Sequence, residues 1–311
     1  MIRDEDETSE AEHGADRIDL SKLSVVVGQL GAFGGDEIER QLSILGIERP
    51  RISHDYERIC RTVDHDRADV LLCDMTKNRA RAQDLMRGIR NQEIGSNPFL
   101  VTIALTGPMT KDEINAMIDA GPDDVFMGGF TRDAFVRRVR DLAFHRRKFV
   151  AVSSYVGPTR RSAARPGRSS AEEFAVPNPV HSTGMGVDKD VLWQEIAVAS
   201  MALNRRKLEA DVAMIRALVS EIIPDYQVSI STDDTTRRVA LLLTSIEAVH
   251  RRARRLGDDN LVSLCELAGS VVKDIKERPK PPNVRHLRAM PQLVVGFETA
   301  LHALPHPTGT S

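Results

Sequence analysis

The stretch Asp69-Val70-Leu71-Leu72-Cys73-Asp74 decides the fold. An uninterrupted apolar run closed at both ends by a carboxylate reads as a strand buried on both faces of a sheet. Working outward, Val25-Val26-Val27 and the segment from Phe99 to Leu105 repeat the pattern. Arg51 to Ser53 makes a weaker strand and Asp124 to Met127 a fifth. Helical periods fill the gaps. Gly31 to Leu45 places Ile38, Leu42 and Leu45 on one face; Asp55 to Val63, Ala80 to Arg90 and Asp133 to Phe144 follow the same rule. Lys111 to Ala120 starts at a Thr110 cap and stops at Gly121-Pro122. Strands alternating with helices predict an α/β fold, a doubly wound five-stranded parallel sheet over residues 24–144.

Composition divides the rest. Residues 1–20 are acidic and polar, a disordered leader and the opposite of a signal peptide. The sheet domain takes 21–145. Residues 146–187 form a linker rich in Arg, Pro, Ser and Gly. Residues 188–305 carry no strand signal and form an all-α domain. One helix runs from Asp188 to Ile223, ended by Pro224. A second starts at Thr232 or Asp233 and stops at Gly257; a third starts at Asp258 or Asp259 and reaches Glu277. A break over Arg278 to Pro282 precedes a fourth, Val284 to Leu304, with Pro291 as a kink site. Four amphipathic helices with short connections predict a four-helix bundle.

Bulk numbers exclude several classes. A net charge of −2 gives no whole-chain attraction to nucleic acid or membrane. Apolar runs such as Ala240-Leu241-Leu242-Leu243 are far too short to span a bilayer. Cys60, Cys73 and Cys265 suggest neither a disulfide framework nor a zinc site, so a reducing cytoplasm is the expected location. No nucleophile–base set or metal cluster appears; an enzyme is not expected, nor a catalytic or metal-ligating residue.

Val25-Val26-Val27, Asp74 directly after Val70-Leu71-Leu72-Cys73, Thr106 after the fourth strand, and Ala120-Gly121 before the fifth resemble a bacterial response-regulator receiver domain. The resemblance covers about 120 residues and implies strand order 2-1-3-4-5. It makes Asp74 the candidate phosphoacceptor and Thr106 the candidate phosphoryl contact. It also implies an acidic pair for Mg²⁺ after the first strand and a lysine, then proline, after the fifth. Those positions hold Gly28-Gln29 and Gly128-Gly129. Carboxylates attack an anionic donor only when cations offset charge crowding, so the site is degenerate, a pseudo-receiver. No cofactor is expected, Mg²⁺ entering only if Asp74 is phosphorylated. Lys77 and Arg79 are the cations able to swing over the pocket. Without a switch role, Asp74 is a strand-terminal hydrogen-bonding residue and Thr106-Gly107-Pro108 a turn. Gly34-Gly35 and Gly128-Gly129 lack phosphate-loop spacing and read as flexible turns.

Phe149-Val150 and Tyr155-Val156-Gly157-Pro158-Thr159-Arg160-Arg161 are similar to a segment that follows the receiver in a set of bacterial receiver proteins. They read as an aromatic anchor pinning the linker, a tight turn at Gly157-Pro158, and a basic clamp. The helical half loosely resembles a histidine phosphotransfer bundle. The implied histidine position falls on Glu247; His250, beside Arg251, Arg252, Arg254 and Arg255, is the candidate phosphotransfer residue.

The leading expectation is a two-component, phosphorelay adaptor that works by protein–protein interaction. Its partners would be a histidine kinase, a phosphotransfer protein or a response regulator. A homodimer through the long helix is open, against the presence of Arg205 and Arg206 in its seam. The alternatives are a working response regulator phosphorylated on Asp74 and a DNA-binding regulator. The latter is motivated by Arg146, Arg147, Lys148, Arg160, Arg161, Arg165 and Arg168, but no helix-turn-helix pattern supports it.

Overall fold

The computed structural model describes residues 18–31, 35–47, 49–65, 67–128, 131–160, 172–227, 232–277 and 284–304. The leader read over Met1 to Asp16, Gly34, Gly129, the linker arginines Arg161, Arg165 and Arg168, and the break at Arg278 to Pro282 lie outside these residues. The chain divides into two compact units, residues 1–150 with 155–200, and residues 151–154 with 201–311.

The first unit is built on five parallel strands: β1 (Val25–Gln29), β2 (Arg51–Ser53), β3 (Val70–Asp74), β4 (Val101–Thr106) and β5 (Asp124–Met127). Their order is β2-β1-β3-β4-β5, as expected. The helices between them are α1 (Gly35–Ile44), α2 (Tyr56–His65), α3 (Arg79–Arg90), α4 (Lys111–Ile118) and α5 (Arg132–Phe144). Successive side chains of a strand point to opposite faces. Val25, Val27, Val70, Leu72 and Ile103 therefore pack with Ile38 and Leu42 of α1 and Phe135 and Val139 of α5. Val26, Leu71, Cys73 and Ala104 pack with Ile59 of α2, Leu85 and Ile89 of α3, and Met117 of α4. Helices on both faces leave the three central strands fully buried. Thr110 caps α4 in a reciprocal box, Glu113 returning its carboxylate to the Thr110 amide at 2.8 Å.

Residues assigned to the linker are partly structured. Phe149–Val152 and Tyr155–Pro158 pair as a two-stranded hairpin, β6 and β7, turning at Ser153 and Ser154. Gly157-Pro158, expected as the turn, lies inside β7. A short helix, α6 (Pro179–Gly184), follows; Asn178 caps it, and proline in its first turn lacks only an amide hydrogen that would go unused there.

The remaining helices are α7 (Lys189–Gln227), α8 (Asp233–Leu256), α9 (Asp259–Glu277) and α10 (Val284–Ala303). Residues 189–200 of α7 group with the first unit and residues 201–227 with the second. Pro224 does not end α7, which runs on to Gln227. A proline near a helix end removes a single amide donor, and Ile222 and Tyr226 on either side are buried in the core. From Leu208 onward the apolar stripe of α7 (Val212, Ile215, Ile222) packs against Val239, Leu242 and Ile246 of α8, Cys265 and Val272 of α9, and Phe297 of α10. Gly257 closes α8 in the left-handed conformation, φ 69°. α10 continues through Pro291.

Candidate functional site

In a doubly wound sheet the crevice beyond the strands' carboxyl ends is where ligands bind. Here Asp74 ends β3, in register with Gln29 of β1 and Leu105 of β4, and Thr106 ends β4. Parallel pairing thus brings Asp74, Thr106 and Gln29 to one edge, as the resemblance implies. Their chemistry at that edge is closed. Asp74 is 0% exposed, and its Oδ1 accepts from the Thr76 amide at 2.9 Å and the Thr76 hydroxyl at 2.7 Å. Gly31 lies directly against it: a Cβ there would stand 2.3 Å from Asp74 Oδ1 and 2.2 Å from Thr76 Oγ1. A side chain there would force Asp74 and Thr76 to shift, and the chain passes the carboxylate as bare backbone. Gly35, the first residue of α1, does the same over Gln29, whose Nε2 would be 2.2 Å from an added Cβ. These two glycines were read only as helix start and turn; their function as covers depends on the distant Asp74 and Gln29.

The charges that would drive phosphoryl transfer are elsewhere. Gly28 faces away from the crevice, toward Ile59, on the opposite side of the strand from Gln29. Gly128 is exposed with φ 96°, and its amide is bonded to the Thr106 carbonyl at 3.1 Å. The Thr106 hydroxyl is buried and donates to the Gly107 carbonyl at 3.1 Å. Arg79 is ion-paired with Glu113 of α4, and Lys77 is exposed. Cys73, beside Asp74, is no substitute nucleophile: burial, with the Asp74 charge next to it, pushes its thiol up to about 12. Among the described residues no three His, Cys, Asp or Glu side chains group so as to hold a metal ion.

The amino ends of the same strands carry a second polar cluster. Arg90, 1% exposed at the end of α3, donates to Gly121 O, Pro98 O, Leu100 O, Thr102 Oγ1 and Asp123 Oδ2 at 2.7–2.8 Å. Arg146 donates to Asp123 Oδ1 at 2.9 Å and to Phe99 O and Pro177 O. Both guanidiniums stand 5.1 Å from the centroid of the buried Phe149 ring. Burial alone would raise the Asp123 carboxyl, but Arg146 and Arg90 outweigh it and hold it below its ordinary value. Tyr155 donates to Pro158 O at 2.9 Å, and Arg160 donates to Pro122 O. Phe149 therefore holds the start of this segment against the sheet unit, and Tyr155 braces β7. Arg146 and Arg160, taken from sequence as part of a basic surface, are committed to internal contacts. Nearby, Asp69 accepts from Ser24 N and Thr183 Oγ1, each at 2.8 Å, and from Lys189 at 3.3 Å, tying α6 and the start of α7 to β1 and β3. Burial raises its carboxyl above the ordinary value despite these donors.

His250 lies on α8 in a groove shared with α9. Its Nε2 is 3.7 Å from Glu266 Oε1, and Glu247 lines the same groove. Arg252 turns inward to a buried pair with Asp211 at 2.9 Å. The carboxylates of Glu247 and Glu266 line the groove with His250, and carboxylates repel a phosphoryl group. Among the described residues no helix is long and apolar enough to cross a membrane. Compared with protein-family models and with curated proteins, the chain matches none.

Proposed function

We propose that this protein is a two-component, phosphorelay signalling adaptor, not an enzyme, whose sheet unit is a degenerate receiver that works through protein–protein contacts without phosphoryl transfer. The observation that carries this reading is the closed carboxylate: Asp74 is fully buried, held by Thr76 and covered by the backbone at Gly31. A phosphoacceptor must present an oxygen to an incoming donor in line with its leaving group, and charged partners must neutralise the transition state. Neither condition is met by Gln29, Gly128 or the engaged Arg79. Asp74 instead stabilises the turn after β3. The strand order, the order of residues along the edge, and the pinned Phe149–Arg160 segment all accord with the receiver resemblance. The partners implied are a histidine kinase, a phosphotransfer protein or an active response regulator, met in the cytoplasm.

The test is a comparison of wild type with Asp74→Asn in native cells. Both should recover the same signalling partners and support the same output, because asparagine keeps a side-chain acceptor for Thr76. Loss of partners or output in a folded Asp74→Asn protein would make Asp74 a switch and favour the working response regulator.

A further inference from the structure

A groove of about 490 Å³ runs between α8 and α9. Leu243, Ile246 and Cys265 form its buried floor. The Cys265 thiol, raised by burial to about 12, stays neutral and adds to the apolar surface. Among the described residues, Glu247 stands on the α8 side and Glu266, Asp274 and Glu277 on the α9 side, with one ammonium, Lys273, on the rim. Glu266 lies 3.7 Å from His250 Nε2 and Asp274 2.8 Å from His286 Nδ1, and the described walls are acidic.

Gly269 is the second observation. Glycine inside a helix costs about 1 kcal/mol relative to alanine, so it needs a reason. Two other helical glycines have one: a Cβ at Gly88 would meet Ile94 at 2.6 Å, and one at Gly296 would meet Leu264 at 3.2 Å. A Cβ at Gly269 would meet only Ile246, at 4.0 Å. Packing inside this chain therefore does not demand glycine there, and the missing side chain leaves the groove open at this point. The third is His250 Nε2, a solvent-excluded polar atom with no hydrogen-bond partner, on the groove wall. Its nearest acid is Glu266 Oε1 at 3.7 Å, beyond hydrogen-bond distance.

We infer that this groove seats one amphipathic helix of a partner protein, apolar along one face and flanked by arginine or lysine. The α9 wall from Cys265 to Glu277 is about 18 Å long, three helical turns. A groove of that length, with its apolar floor at Leu243, Ile246 and Cys265, accepts side chains at i, i+4 and i+7. Glu247 and Glu266 beside His250, and Asp274 and Glu277 farther along α9, meet basic residues spaced along such a helix. Groove occupancy is independent of Asp74 chemistry, and the two fail separately.

The probe is a fluorescent helical peptide about 15 residues long, with leucines at that spacing between arginines, titrated by anisotropy into the full chain. Saturable one-to-one binding is expected. Gly269→Leu should weaken it about tenfold or more, by filling the floor, while melting at the same or a higher temperature, since leucine favours helix over glycine. Glu247→Lys with Glu277→Lys should weaken it as well. No saturable binding to wild type would overturn the assignment, as would equal affinity in Gly269→Leu, which would leave only surface electrostatics. Displacement of the peptide by spermidine at comparable concentration would assign a small polycation instead and overturn the helix.

Discussion

Asp123→Asn should destabilise the sheet unit by about 3–5 kcal/mol, the usual cost of removing one partner from a buried ion pair. The side chain is 1% exposed and receives three hydrogen bonds: from Arg90 at 2.7 Å, from Arg146 at 2.9 Å and from the Thr102 amide at 2.8 Å. Asparagine retains one oxygen but no charge, and turns an amide toward one of the two guanidiniums. Those guanidiniums, 1% and 4% exposed, cannot recover water. The protein's single tryptophan reports on the right unit. Trp193 belongs to the sheet unit and lies 5.4 Å from the Arg67 guanidinium. Urea unfolding followed by tryptophan fluorescence should show the shift, while Asp84→Asn, which breaks an exposed pair, stays within about 0.5 kcal/mol. The pH dependence has a fixed sign. Because Asp123 is held below its ordinary 3.8, its contribution is complete above that value and is lost as pH falls through the lower folded value. Asp123→Asn should therefore flatten the acid limb of the stability curve. A loss below about 1 kcal/mol, or an unchanged acid limb, would refute the view that this cluster fastens the extension to the sheet.

Asp69→Asn tests the opposite sign. Its raised carboxyl contributes fully below 3.8 and loses that contribution as pH rises through the folded value, so the wild-type advantage over the variant should shrink with rising pH in that window. Loosening of the start of α7 should also shift Trp193 emission to longer wavelength. Asp211→Asn, which removes the charge paired with the buried Arg252, should cost about 3–5 kcal/mol in the helical unit, read by far-ultraviolet dichroism while the tryptophan transition stays in place.

The sheet was legible because its central strands are buried on both faces, so Val25 to Val27 and Val70 to Cys73 needed no partner information to be read. The Thr110 and Gly257 boundaries were legible because caps are local chemistry. What escaped was non-local. β6 and β7 are four residues each, and their place is set by Phe149 under two guanidiniums that the sequence separates by more than fifty residues. Arg90, Asp123 and Arg146 meet only once β4 and β5 are paired. Pro224 was overvalued as a stop because core packing by its neighbours outweighs one missing donor. At the candidate site, Asp74, Thr106, Gly28, Gln29 and Gly128 could be placed from order along the chain. The covering function of Gly31 and Gly35 could not, since a glycine's missing side chain has meaning only against what occupies the space. Gly269 did leave a signal, an isolated glycine in a strong helical pattern.

The most direct measurement is intact mass after the full chain is incubated with a small-molecule phosphodonor and Mg²⁺. With Asp74 enclosed by Thr76 and Gly31, and with no cation at Gly128, the mass should stay that of the unmodified chain in wild type and Asp74→Ala alike. A prompt gain of one phosphoryl group in wild type, absent from Asp74→Ala, would contradict the adaptor reading and establish a working response regulator.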